Sequence, residues 1–167
     1  LKSFIKTSDD SLKAQYQKDL VVLYDEWLQY FPKTKRGVSE VGKILAIKAQ
    51  ALSDYKLADD NEVLKIYDEA FSRDPKSFKS PKGLYNYFKL YFKLYKAGDP
   101  SVTLEKVFDK YEELTEKFEY EMGVYTSKLD VLLKKEENSD PLTSREIRNK
   151  KVYGVNMVAC NTYLNNL

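Results

Sequence analysis

Hydrophobic residues recur at steps of three and four along most of the chain, and alternation with period two never persists. This spacing places apolar side chains on one face of an α-helix, so the pattern predicts an all-α protein without β-strands. Proline, glycine and capping residues divide the pattern into six segments. The predicted helices run over about 10–31, 39–56, 59–74, 81–97, 99–135 and 143 to near the C-terminus.

Local signals mark several helix ends. Ser80 before Pro81 predicts the start of the fourth helix, and Gly98 supplies a left-handed stop after it. Asp99 followed by Pro100 predicts the start of the fifth helix in the same way. Two pairs have the spacing of a capping box, in which each side chain bonds a free backbone N–H of the first turn: Asp59 with Glu62, and Thr143 with Glu146.

Several helices show apolar residues at helical spacing. In the second helix the residues predicted to face inward are Val41, Ile44, Leu45, Ala49, Leu52 and Tyr55. In the first helix the apolar positions include Leu12, Tyr16, Leu20, Leu23, Trp27 and Tyr30. In the sixth they include Ile147, Val155, Met157, Val158 and Leu164.

An internal repeat connects three of the helices. A pattern of apolar–x–x–apolar–aromatic–Asp begins at Leu20, at Val63 and at Leu104, with offsets of 43 and 41 residues. Two helices in each repeat of about forty residues are typical of an α-solenoid built from stacked antiparallel helical hairpins. The alternative is chance similarity among helices that are rich in Lys, Glu and Leu.

The hairpin from Ile44 to Pro75 resembles a tetratricopeptide repeat (TPR), although the repeat spacing here is longer than that family's. Four residues fall at the family's small, aromatic, alanine and closing proline positions: Ala51, Tyr67, Ala70 and Pro75. The resemblance implies one TPR-like helical-repeat domain over 1–167, with repeat units over about 12–118 and a divergent end over 100–167. It also implies that the first helix of each pair lines a groove that binds proteins or peptides.

The chain further resembles TPR-like proteins of Bacteroidota, many of which are exported. This implies an exported or periplasmic protein if a signal peptide preceded Leu1. Because the first segment lacks an evident partner helix on its N-terminal side and the last helix ends abruptly at Leu167, we expect that a longer solenoid has been shortened.

Composition excludes several classes of function. The chain has 167 residues, no His and one Cys, so it contains neither His-based catalytic dyads nor an internal disulfide. Its 28 Lys and Arg against 26 Asp and Glu give a net charge of +2, which predicts no nucleic-acid partner. No apolar run approaches the about 20 residues that cross a bilayer. We therefore predict a non-enzymatic protein with no cofactor, no metal and no membrane span.

The fourth helix carries the candidate binding residues. Its polar residues, at steps of four and three, form one stripe on an otherwise aromatic and aliphatic helix: Lys82, Asn86, Lys89, Lys93 and Lys96. One interpretation is an inner helix with a solvated lysine edge. The other, implied by the TPR resemblance, is a groove in which Asn86, Lys89 and Lys93, with Lys48 of the second helix, bind a peptide carboxylate.

Other polar groups receive structural interpretations. The acidic run at 59–62 is interpreted as helix capping rather than a cation site. The fifth helix has a group of glutamates that we expect to form a solvated face: Glu112, Glu113, Glu116, Glu119 and Glu121. Cys160 is expected to be a small core residue, because no His is present to activate it.

The sequence therefore predicts a scaffold that binds a protein or peptide in a groove lined by the second and fourth helices. The alternative is a protein that binds a small ligand, such as an oligosaccharide, on exposed faces of its 14 tyrosines and single tryptophan.

Overall fold

The computed structural model describes Ile5 and residues 9–167. These residues form six α-helices and no β-strand, so the predicted all-α fold class is confirmed. An isolated antiparallel bridge joins Lys33 and Ser39. The helices are α1 (Asp10–Tyr30), α2 (Val41–Asp54), α3 (Asp60–Arg73), α4 (Pro81–Lys96), α5 (Leu104–Glu137) and α6 (Ser144–Leu164).

Internal contacts divide the chain into two compact units, Leu1–Leu90 and Tyr91–Leu167. In the first unit, α2 packs against both α1 and α3; in the second, α5 packs against α6. The helix α4 begins in the first unit and ends in the second. A single helical-repeat domain with TPR-like units stays a prediction.

Both predicted capping boxes are present. The Asp59 carboxylate accepts the Glu62 N–H at 2.8 Å, and the Glu62 carboxylate accepts the Asp59 N–H at 3.3 Å. The Thr143 hydroxyl accepts the Glu146 N–H at 3.3 Å, and the Glu146 carboxylate accepts the Thr143 N–H at 2.9 Å. Because these bonds need only residues three apart, the sequence predicts them without knowledge of the tertiary fold.

Three helices are followed by a residue in the left-handed region. Gly98 follows α4 with φ 72°, as predicted, and the Asp99 N–H then bonds the Leu94 carbonyl at 3.1 Å. After α2 and α5 the left-handed position is held by Lys56 at φ 54° and Ser139 at φ 60°. These two helices therefore end at side chains that disfavour the conformation they adopt.

The predicted start of α5 is wrong by four to five residues. The helix begins at Leu104, where the Thr103 hydroxyl accepts the Lys106 N–H at 3.3 Å. The Asp99 carboxylate instead accepts the Ser101 N–H at 2.9 Å and forms a turn before the helix. Once started, α5 continues without a break to Glu137.

An aromatic cluster forms the core of the first unit between α3 and α4. The Tyr67 and Tyr87 rings stack with centroids 5.4 Å apart, and Phe78 lies 5.9 Å from Tyr67 and 6.1 Å from Tyr87. All three are fully buried. The Tyr87 hydroxyl donates to the Asp68 carboxylate at the edge of this cluster. Tyr67 lies on α3, so one face of α3 lines this core.

The N-terminal end of α2 lies directly on the C-terminal end of α3. Gly42 is buried there, and a Cβ at this position would lie 2.1 Å from the Asp74 carbonyl oxygen and 2.9 Å from that of Ala70. The Asp74 carboxylate accepts hydroxyl hydrogen bonds from Ser39 and Ser77, each at 2.6 Å. A glycine and two short hydroxyl side chains thus determine how closely α2 and α3 pack.

The apolar positions of the terminal helices are only partly buried. In α1, Leu20 and Tyr24 are buried, whereas three apolar positions are exposed: Leu12, Leu23 and Tyr30. In α6, Cys160 is buried, as expected, and three apolar positions are exposed: Ile147, Val155 and Val158. Periodicity identifies residues that share a face, but a neighbouring helix decides which face is covered.

Candidate functional site

The lysine stripe of α4 is an exposed edge of an otherwise well-packed helix. Lys82, Lys89, Lys93 and Lys96 are exposed and Asn86 is half-buried. Five of the positions between them are buried: Leu84, Tyr87, Phe88, Leu90 and Leu94. The predicted polar stripe is therefore confirmed as a face, and the solvated-edge interpretation describes its lysines.

Asn86 is held in place by a glutamine of α2. Its Nδ2 donates to Gln50 Oε1, and the same oxygen accepts the Tyr67 hydroxyl at 3.2 Å. Gln50 in turn donates from Nε2 to the Asp54 carboxylate at 2.6 Å. An amide side chain has two donor hydrogens and one acceptor oxygen, and the bond to Gln50 uses one donor of Asn86. Asn86 is therefore oriented and retains groups that can bond a ligand.

The phenol of Tyr67 stays protonated in this network. Burial, and secondarily the nearby Asp54 carboxylate, raise the pKa of Tyr67 well above its ordinary value of 10.0. Tyr67 is therefore protonated near neutral pH, and its hydroxyl donates a hydrogen bond to Gln50. This fixes the Gln50 oxygen as an acceptor, and it fixes the orientation of the Asn86 amide.

The other predicted binding residues have different surroundings. Lys48 on α2 lies 2.5 Å from the Asp25 carboxylate of α1, and its side chain is only 19% exposed. Lys89 is exposed, with its Nζ 5.6 Å from the centroid of the Tyr85 ring. Lys93 follows Lys89 by one helical turn and belongs to the second unit. In the first unit the structure thus groups Asn86 with Lys89, whereas Lys48 is paired with α1.

Gln50 is the residue that sequence reasoning misses. It is half-buried in a segment of α2 in which most neighbours are apolar, from Ala46 to Leu52. A polar residue in such a segment needs a hydrogen-bond partner. That isolated polar position is the signal in the sequence, but the partner, Asn86, lies 36 residues further along the chain.

A buried ion pair lies in the second unit. Lys117 Nζ lies 2.6 Å from Glu121 Oε1, with the two side chains 10% and 4% exposed. The expectation that Glu121 belongs to a solvated glutamate face is therefore wrong, whereas Glu112, Glu113, Glu116 and Glu119 are exposed as expected. The burial of Glu121 does not follow from periodicity alone. It depends on Lys117, which lies one turn earlier and neutralises a carboxylate that would otherwise stay at the surface.

Cys160 lies fully buried on α6 near this pair. Burial, followed by the charge of Glu121, raises the pKa of the thiol to about 11, although Lys117 opposes the shift. The same two causes, burial and Glu121, raise the pKa of Tyr125 to about 12, with a smaller contribution from Cys160. A buried thiol with a raised pKa is a packing residue, and it is the opposite of an activated nucleophile.

An open cleft of about 420 Å³ lies between α5 and α6 of the second unit. Its lining consists of Ser127, Lys128, Val131, Leu132, Asn149 and Tyr153. Lys128 Nζ lies 5.6 Å from the Tyr153 ring centroid. The cleft contains no carboxylate or thiol, so it lacks a pair of groups for acid–base or nucleophilic chemistry.

Exposed aromatic residues are the basis of the small-ligand alternative. They are Tyr30, Phe31, Phe92, Phe108, Tyr111 and Tyr120. Phe108 and Tyr111 lie one turn apart on α5, so they are the nearest neighbours of this set along one helix face. Four other tyrosines are core residues: Tyr24, Tyr67, Tyr87 and Tyr125. The small-ligand alternative stays a prediction.

Two further properties concern only the part of the chain that the structure describes. Over Ile5 and 9–167, no three or more His, Cys, Asp or Glu side chains group into a metal-binding arrangement. None of the helices within that part has the length and apolar character needed to cross a bilayer.

Comparison of the chain with protein-family models, curated proteins and solved structures found no significant match.

Proposed function

We propose that the chain is a non-enzymatic scaffold of TPR-like helical hairpins that binds a peptide segment of a partner protein on the α2–α4 surface of its first unit. The observation that supports this most directly is the Asn86–Gln50 hydrogen bond, because it fixes an amide beside the exposed lysines of α4. A fixed amide recognises peptide backbone, since it offers a donor and an acceptor at one place.

The chemistry of this surface favours an acidic peptide. Lys82 and Lys89 are exposed, and within the described residues neither forms an ion pair. A carboxylate of the peptide, from a side chain or a C-terminus, would therefore gain a charge-assisted hydrogen bond without displacing a partner. The Tyr85 ring beside Lys89 adds an amphipathic contact of the kind enriched at interfaces. Lys48 is not part of this proposal, because Asp25 already neutralises it.

The test is a selection of binders from a random peptide library displayed on phage, followed by affinity measurement with the synthetic peptides. We expect sequences that are enriched in Asp and Glu. Lys89→Glu should weaken their binding at least tenfold, because it places like charges together. Lys76→Glu is the matched control, since Lys76 is exposed in the turn between α3 and α4. Peptides that bind Lys89→Glu and the parent chain equally well would show that the proposed surface is wrong.

A second variant tests the role of Gln50 as a positioning residue. Gln50→Ala removes the acceptor that orients Asn86 but leaves every exposed group of the surface in place. We expect affinity to fall about three- to tenfold while the salt dependence of binding stays unchanged, because the lysines are untouched. A loss of salt dependence would instead mean that Gln50→Ala has disturbed the helix that carries Lys89.

A further inference from the structure

The outer face of α1 combines exposed apolar and acidic residues. At helical steps of seven, four, three and four, the face contains Leu12, Asp19, Leu23, Glu26 and Tyr30. Leu23 is 46% exposed and Tyr30 is 66% exposed. The basic residues of α1, Lys13 and Lys18, lie about 80° or more from the centre of this face. The outer face of α1 is therefore apolar and negatively charged.

The outer face of α6 has the opposite charge. At steps of four, four and three it contains Ile147, Lys151, Val155 and Val158, with Val155 60% exposed and Val158 61% exposed. Arg148 flanks its N-terminal half.

The one acidic residue of α6 does not reach this face. Glu146 is engaged by Thr143 and by Lys135, whose Nζ lies 2.6 Å from its carboxylate. Lys150 is paired with Glu136 at 2.5 Å. Arg148 and Lys151 form no ion pair with any described residue of the chain. The outer face of α6 is therefore apolar and positively charged.

We propose that copies of this chain associate head to tail, with the outer face of α1 of one copy packed against the outer face of α6 of the next. The pairing of an acidic apolar face with a basic apolar face supplies complementary charge around a buried aliphatic centre. Contact between two α1 faces or two α6 faces would bring like charges together, so a symmetric dimer is disfavoured.

Glu26 and Lys151 set the register of the proposed contact. Leu23 lies one turn before Glu26 on α1, and Ile147 and Val155 lie one turn before and after Lys151 on α6. With Lys151 opposite Glu26, exposed aliphatic side chains therefore surround the charge pair.

A head-to-tail contact leaves one free face at each end of every assembly. It therefore produces rings or open chains of increasing length, not a closed pair. We expect the mass-average molar mass of the chain, measured by light scattering after size exclusion and by sedimentation velocity, to rise with protein concentration. Because the contact includes charge pairs, higher salt should weaken it.

A charge exchange tests the proposal. Glu26→Lys and Lys151→Glu should each weaken self-association by about tenfold or more, since each places like charges opposite one another. A mixture of the two variants should associate again, because each then offers the face that the other lacks. The controls Glu112→Lys and Lys134→Glu change equally exposed charges on α5 and should leave association unchanged.

Several outcomes would overturn the proposal. They are a chain that stays monomeric at all concentrations, association that survives both charge changes, and association that is lost with one variant only. Circular dichroism shows whether each variant is folded, and Leu23→Gln tests the same contact through its apolar centre. Lys89→Glu, which addresses the proposed peptide surface, should leave association unchanged, so a failure of either proposal is distinguishable from a failure of the other.

Discussion

The Ser39 hydroxyl donates a 2.6 Å hydrogen bond to the Asp74 carboxylate, across 35 residues of sequence. Ser39 lies just before α2 and Asp74 lies just after α3, so this bond joins the two ends of the α2–α3 hairpin. The Ser77 hydroxyl donates a second bond of the same length. The carboxylate thus organises the corner at which the hairpin continues towards α4.

The stability of the chain should depend on the ionisation of Asp74. Partial burial alone would raise the pKa of this carboxyl, but hydrogen bonds from Ser39, Ser77 and the Gly42 N–H outweigh burial and lower it below its ordinary value of 3.8. Because the pKa is lower in the folded state, the stabilisation is complete above the pKa of the unfolded chain. It is lost as pH falls through the lower folded value.

The measurement is urea unfolding of the parent chain and Asp74→Asn over a series of pH values. Near neutral pH we expect the variant to be about 1–3 kcal/mol less stable, since a hydrogen-bonded charge is replaced by an amide. The difference should shrink as the solution is acidified below pH 3.8. A difference that does not change with pH would mean that the charge of Asp74 does not contribute to the stability of the fold.

Gly42→Ala and Gly123→Ala should change stability in opposite directions. At Gly42 a Cβ would lie 2.1 Å from a backbone carbonyl oxygen, so α2 and α3 must separate, and we expect a loss of about 3 kcal/mol or more. At Gly123 no atom lies within 4 Å of the added Cβ, so replacing a mid-helix glycine should stabilise by about 0.5–1 kcal/mol. Thermal melts of the two variants test the pair, and equal shifts would refute the close approach at Gly42.

Replacing only one residue of the Lys117–Glu121 pair should lower the free energy of unfolding more than replacing both. Lys117→Met leaves the Glu121 carboxylate buried without its cation, which should cost about 3–5 kcal/mol. Lys117→Met combined with Glu121→Leu removes both charges at once and should cost much less. A double-mutant cycle from denaturant unfolding measures the coupling, and additive effects would show that the two charges act independently.

Cys160 should react slowly with thiol reagents in the folded chain. It is fully buried, and burial together with Glu121 raises its pKa to about 11, so little thiolate exists near pH 8. Alkylation by iodoacetamide should become fast only when the chain is unfolded in urea. In Glu121→Gln the alkylation of the folded chain should begin at lower pH, because one of the two causes of the shift has been removed. Rapid labelling of the folded parent chain would contradict this account.

Local signals predicted much of this fold, and long-range contacts explain the errors. Asp59 and Thr143 were identified as helix caps because a capping box involves residues only three apart. The start of α5 was misplaced because Asp99 bonds Ser101 in a turn, a choice that competes closely with capping a helix. The exposure of Ile147 does not follow from the sequence, because apolar spacing does not specify whether another helix covers that face.

The sequence predicted the exposed face of α4 but not the contacts that this face makes with other helices. The periodicity of α4 correctly placed Asn86 and Lys89 on one face, which needs only the geometry of a helix. It did not predict that Gln50 would orient Asn86, nor that Asp25 would neutralise Lys48. Both contacts join separate helices, and their partners are fixed by how α1, α2 and α4 pack within the first unit.

The residues that follow α2 and α5 show where the chain can still gain stability. Lys56 and Ser139 hold left-handed positions that glycine would occupy without strain, and each costs up to about 1 kcal/mol relative to glycine. Natural proteins lie above a stability threshold and below their optimum, so such positions are a reserve. Stability gained by placing glycine at these two helix ends would let the chain accept destabilising substitutions elsewhere, which is the condition under which new binding surfaces evolve.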